Sequence, residues 1–132
     1  MKNNIISVAS AIAAELQDYG AEVTFAPEYD LQELGKKRVC AVVPVTTDYE
    51  KISRSQTKLK YRVEIGLMYR AKVLDMSELL SEADTIINKF LHQRISEAIC
   101  MKAEHVPMYD AENLRERNQF TSVVGLTLEE VQ

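Results

Sequence analysis

Tryptophan is absent from this chain, histidine occurs twice, and 132 residues hold only four glycines, three prolines and two cysteines. Each shortage closes off a kind of chemistry. So few glycines, none of them in a run, leave no loop that could wrap a phosphate in consecutive backbone N–H groups. His92 and His105 lack a second ligand at metal-binding spacing, and Cys40 and Cys100 are not spaced as a zinc finger or cluster. With no activating base beside them, the two thiols read as small buried hydrophobes. The tyrosines (Tyr19, Tyr29, Tyr49, Tyr61, Tyr69 and Tyr109) are scattered and form no stacking platform. No repeat or Pro/Gly-rich linker divides the sequence, so residues 1–132 read as one domain. No apolar run approaches the ~20 residues that cross a bilayer. The opening "MKNNIISVAS" continues with helical spacing into charged "ELQDY", which suits a folded helix and not a cleaved leader. A reducing cytoplasm is the expected compartment, with no membrane, metal or cofactor and no enzymatic activity.

What is present is patterned. Ile5, Val8, Ala9, Ile12 and Leu16 make one helical stripe that stops at Gly20. "AEVTFAP" predicts a short strand ended by Pro27. "EYDLQELGKK" reads as a connection with a helical turn. In "RVCAVVPV", Val39, Ala41, Val43 and Val45 are in phase, and Pro44 places that strand at an edge or a bulge. "TTDYEKISRSQT" reads as a long polar loop projecting from the sheet to meet a partner. "KLKYRVEIGLMYR" then alternates without a break. Leu59, Tyr61, Val63, Ile65, Leu67 and Tyr69 fall on one face, and Lys58, Lys60, Arg62, Glu64, Gly66, Met68 and Arg70 on the other. A second helix follows "AKVL", opened by a capping box at Asp75 and Glu78 and striped by Leu79, Leu80, Ala83, Ile86, Ile87, Phe90 and Leu91. "EAICMKAEHVPMYD" predicts an irregular edge strand and "AENLRER" a helical turn. The last strand has Phe120, Ser122, Val124, Leu126 and Leu128 in phase. The expected fold is α+β: a mainly antiparallel mixed sheet of about five strands with two main helices packed on one face.

Charge is divided along the chain. Residues 51–72 carry seven Lys or Arg and one acid, a local +6, while the whole chain is −4. A net negative charge argues against nucleic acid as a partner. Three readings of the basic strand stand side by side: a solvated face blunted by charge, a phosphate contact, and a self-complementary surface. In the third, the basic face of one copy meets an acidic patch of the next, such as Glu28, Asp30 and Glu33 or Glu129 and Glu130. Different patches in contact make a head-to-tail joint, which closes into a ring or runs on as a filament. The candidate interface residues are Lys58, Lys60, Arg62 and Arg70 on the strand, with Tyr49 and Arg54 in the loop before it. Glu64 fits a partner for a neighbouring cation better than a general acid.

Three phrases, "YDLQELGKKRVCAVVP", "SRSQTKLKYRVEIGLMYR" and "NLRERNQFTSVVGLTL", resemble the tail-terminator, or tail-completion, proteins of tailed bacteriophages and prophages. The resemblance runs over about residues 5–128. It implies a hexameric ring seated on the last ring of the tail tube, where it ends tube polymerisation and offers a surface to the head-completion protein. The partners it implies are further copies of the chain, the tail-tube protein and the head-completion or neck protein. The location it implies is the host bacterial cytoplasm during assembly and then the upper end of the virion tail. Two alternatives remain at this point: a neck or head-completion adaptor, and a small ligand-binding or enzymatic α+β domain with Glu64 or His105 in a pocket.

Overall fold

A computed structural model describes residues 3–25, 38–70, 76–105 and 119–132. Helix α1 (Ile5–Glu15) begins at Asn4, whose side-chain oxygen accepts the Ser7 backbone N–H at 3.0 Å. That bond satisfies one of the otherwise unpaired donors of the first turn. A 3-10 turn (Gln17–Tyr19) follows and ends at Gly20, which takes the left-handed conformation (φ +69) that glycine adopts without steric cost. Helix α2 spans Met76–Phe90. The strands are β1 (Glu22–Val23), β2 (Arg38–Lys51), β3 (Thr57–Arg70), β4 (Arg94–Ile95), β5 (Ala98–His105) and β6 (Gln119–Val131).

Among the described residues these six strands form one sheet in the order β1-β2-β3-β6-β5-β4. β1 runs parallel to β2, and every other neighbouring pair is antiparallel. The fold is thus α+β with a mixed sheet, one strand richer than the sequence suggested. The addition is β4, two residues long and joined to β5 through Ser96–Glu97, with Ser96 at φ +58. A hairpin loop of two residues needs positive φ, which here falls on a serine. No glycine was present to signal it.

The strict alternation of β3 sets the layers. Leu59, Tyr61, Val63, Ile65 and Leu67 are all buried in one cluster with Val124, Leu126 and Leu128 of β6 and Ala98 and Cys100 of β4–β5's hairpin. Val8, Ala9 and Ile12 of α1, Leu16 just after it, and Ala83, Ile86 and Phe90 of α2 belong to the same cluster, so both helices cover the same face. α1 lies over the β1–β2 side and α2 over the β5–β6 side. A period-2 strand and a period-3.6 helix each expose one apolar stripe, and joining the stripes removes both from water.

Several expectations change in the structure. The stripe Val39, Ala41 and Val43 turns away from the helices. Register puts Cys40 opposite Leu67 and Val42 opposite Ile65 on the helix side, while Ala41 and Met68 bury together on the far face with Val39 and Val43 beside them. β2 is apolar on both faces here, so its phase alone could not choose. The register shift falls between Pro44 and Thr46, which takes Val45 out of phase. A residue without an N–H is readily placed at such a break. The supposed loop "TTDYEKISRSQT" is largely strand: β2 continues to Lys51 and β3 starts at Thr57, leaving Ile52–Gln56 as the turn. Its polarity reflects a hairpin arm whose side chains are mostly exposed, so neither face is required to be apolar. The helical turns expected at 28–37 and 111–117, the stretch 71–75 with the cap at Asp75, and the acids Glu28, Asp30 and Glu33 lie outside the described residues.

Candidate oligomer interface

β3 carries its cations on the face opposite the helices, and the sheet decides what lies beside them. Cross-strand register sets Lys60 between Asp48 of β2 and Glu129 of β6, and Lys58 between Glu50 and Val131. Lys58 Nζ is 3.5 Å and Lys60 Nζ 3.7 Å from the same Glu129 carboxylate oxygen. Arg62 reaches Glu64 at 3.5 Å and Glu104 of β5 at 3.1 Å, while Lys102 closes on Glu104 at 3.6 Å. The positive stretch of sequence is therefore embedded in a mixed-sign surface. Strands distant in the chain supply the acids.

Exposure separates these cations. The Lys60 side chain is half exposed, whereas Arg62 keeps 22% and is held on two carboxylates and, at 3.5 Å, the Thr127 hydroxyl. The Arg62 guanidinium holds the Glu104 carboxyl below its usual range, with Lys102 adding to the effect and desolvation opposing it. Surface pairs of this kind contribute little to stability, because two long side chains are ordered for a small gain in high dielectric.

Tyr49 and Arg54 belong to the β2–β3 arm. Tyr49 pairs with Leu59 in register and so sits on the helix side of the sheet, not on the basic face, yet it remains 73% exposed. Arg54 is exposed in the turn. Val45 (46%) and Ile52 (48%) give the same arm two more uncovered apolar side chains, which charge reasoning missed. Of Arg70 the backbone is placed, opposite Gln119 at the far end of β3, and its side chain lies outside the description. The structure thus brings Lys58, Lys60 and Arg62 together and sets Tyr49 and Arg54 apart on the arm.

The expected acidic patch at Glu129–Glu130 is engaged inside the subunit. Glu129 serves Lys58 and Lys60, while Glu130 is buried and accepts the Tyr61 hydroxyl, Asn3 Nδ2 at 3.3 Å and Gln132 Nε2 at 3.1 Å. Successive residues of a strand point to opposite faces, so one acid meets the lysines and the next meets the core. Burial first, and then the bond and charge of Glu130, push the Tyr61 phenol well above its ordinary value.

His105 Nε2 lies 3.1 Å from Asp84 Oδ1 of α2, and exposed His92 has φ +64 in the turn after that helix. Cys40 and Cys100 are both buried, and desolvation pushes the Cys100 thiol up. No group of three or more His, Cys, Asp or Glu side chains is arranged to hold a metal, and no helix is long and apolar enough to cross a membrane, among the described residues.

No family model matches the sequence, and no curated protein matches it. Among solved structures, the chain is similar to the sheath/tube terminator of an extracellular contractile injection system, PVC, determined by cryo-EM in the extended state. The TM-score is 0.55 at 13% identity, and the match covers 100% of this chain and 58% of the other. This chain therefore spans less than two-thirds of the length of the protein it matches. Its fold is terminator-like.

Proposed function

We propose that this protein is a structural component of a phage or prophage tail that caps the tail tube as a homo-oligomeric, hexameric ring. In this role it ends tube polymerisation and presents a surface for head–tail joining. Its partners are its own copies, the tail-tube protein and a head-completion or neck protein. It assembles in the host bacterial cytoplasm and resides at the upper end of the tail. The observation that carries the reading is the fold likeness, over 100% of this chain, to a sheath/tube terminator. The contact set is Tyr49 and Arg54 on the arm with Lys58, Lys60, Arg62 and Arg70 on β3, and the ion pairs of Lys58, Lys60 and Arg62 re-form with a neighbour's acids when subunits meet.

Native mass at low and high salt, followed by addition to growing tail-tube protein, tests this. A ring that loosens as ionic strength rises and shortens tubes is the expected result, because screening acts on exposed charges. A chain that leaves tube length unaltered at every concentration sinks the reading.

A further inference from the structure

The outer edge of β2 beyond Val42 has no strand beside it among the described residues, since β1 reaches only Ala41 and Val42. Register fixes which backbone groups this leaves open. Thr57 and Gln132 exchange two backbone hydrogen bonds, each 2.8 Å, so the polar groups of Thr57 point away from β2. Lys51 stands opposite Thr57 and consequently turns its own N–H and C=O outward, as do Tyr49 and Thr47 at steps of two. Edges of this length are ordinarily blunted by a proline, a bulge or inward charge. Here the break at Pro44–Thr46 lies at the base of the arm, and past it the edge is guarded only by the charges of Asp48, Glu50 and Lys51, which select among partners.

β5 offers the complement on the other side of the sheet. Among the described residues this edge is covered by β4 at Ala98 and Ile99 only, and Cys100 is bonded to His92 and Gln93. Past the register shift, Lys102 and Glu104 stand opposite Thr127 and Gly125. Those β6 residues alternate with the ones bonded to β3, so they face β5 and pair with it. Ala103 and His105 then turn their N–H and C=O away from β6. Strands β2 and β6 run one way and β3 and β5 the other. Rotation about an axis along the strands preserves these directions, so the β5 of a second copy arrives antiparallel to β2 and continues the alternation.

We propose that the Thr47–Lys51 edge of one copy adds to the Ala103–His105 edge of a second copy, joining subunits head to tail through a continuous sheet. Charge selects this partner over a symmetric β2–β2 contact. Two β2 edges would bring Asp48 and Glu50 against the same acids of the other copy, and like charges directly opposite are destabilising. With Tyr49 opposite Ala103, Glu50 instead faces Lys102, whose side chain is 65% exposed. The small Ala103 leaves room for the Tyr49 ring; Asp48 opposite Glu104 is one like-charge pair against two in the symmetric contact, and Arg62 and Lys102 beside Glu104 offset it. Main-chain bonds supply the adhesion and the side chains fix the register, as in other strand additions. The proposal rests on the ring reading in one respect only, that copies of the chain meet.

Association of the full chain is measured by sedimentation for Glu50→Lys, Lys102→Glu and the double variant, with Thr47→Pro alongside. Each single reversal is expected to weaken association about fivefold, and the double variant to recover to within about twofold. Thr47→Pro removes an outward N–H and leaves the bonds to β3 in place, so it abolishes association with little change in melting temperature. In parallel, oxidation of the Glu50→Cys, Lys102→Cys pair is expected to yield a ladder of multimers that neither single variant gives. Rings of unaltered strength in Thr47→Pro and both reversals overturn the strand joint and leave the ring reading standing. Wild-type chains that stay monomeric at low salt yet shorten tubes also overturn it. Disulfide dimers from Glu50→Cys alone mark a symmetric contact and overturn it as well.

Discussion

The guanidinium of Arg62 on β3 lies 3.1 Å from the carboxylate of Glu104 on β5, although β6 runs between the two strands. Gly125 makes the reach possible. It stands opposite Glu64 and Glu104 in register, and a Cβ built on it would overlap the Arg62 guanidinium. One glycine in a central strand thus lets a side chain cross over its backbone.

Gly125→Ala is expected to displace the guanidinium and release Glu104. An Arg tip is flexible, so melting should change little. The carboxyl titration of Glu104 should move up toward the ordinary range of about 4.3, and Arg62→Gln should move it further, both read by NMR. The sign follows from the depressed folded value: whatever stability this contact gives is present above the unfolded pKa and is lost as pH falls through the folded one. An unmoved Glu104 titration in both variants would contradict the assignment.

Tyr61→Phe removes the hydroxyl that Glu130 accepts in the buried sheet layer. A loss of about 1–3 kcal/mol is expected at neutral pH, because a buried acceptor is left short of a donor. The Tyr61 pKa is raised on folding, so its contribution is complete below the unfolded value of about 10 and disappears as pH climbs through the folded one. Urea unfolding at neutral and alkaline pH tests both parts. The variant should be weaker at neutrality and show a flatter alkaline decline than wild type.

Phe90 closes α2 onto the sheet with 2% exposure. Its truncation to alanine is expected to cost about 3–5 kcal/mol, combining lost burial with an incompletely collapsed cavity. Denaturant unfolding measures it, and a cost under about 1 kcal/mol would contradict the packing described.

Tyr49→Ala takes away an exposed ring from the arm. Stability should stay within about 0.5 kcal/mol of wild type, while self-association weakens measurably by sedimentation. A large loss of stability with association intact would mean that Tyr49 supports the fold and not a contact.

Cys40 and Cys100 are enclosed in the core, and burial further suppresses the Cys100 thiolate. Both thiols should react with a small aromatic disulfide only as fast as the protein opens, and at once in denaturant. Mass spectrometry of timed reactions distinguishes this from a rapidly labelled native thiol.

The fold was legible wherever one period governed a whole element. Val8, Ala9, Ile12 and Leu16 are as buried as helical spacing demanded, and the same holds for Leu59 to Leu67 on β3 and Ser122 to Leu128 on β6. Reading failed where period was silent. "VCAVV" is apolar at every position, so its inward set could not be chosen, and Cys40 and Val42 took the helix side. The arm at Thr46–Lys51 is polar on both faces and looked like a loop. β4 is two residues long and has no pattern to show.

The candidate interface divides along the same line. Composition and alternation by themselves determined that β3 has one cationic face and one core face, because both properties belong to neighbours in sequence. Only the tertiary structure decided what those cations meet: Glu129 beside Lys58 and Lys60, and Glu104 across Gly125 from Arg62. Pairing of strands remote in the chain sets those encounters. A shift of one residue in the β3–β6 register would put Glu130 opposite Lys60 and turn Glu129 to the core face. The physical reason is that charge and periodicity are local, whereas register is settled by the packing of the whole sheet.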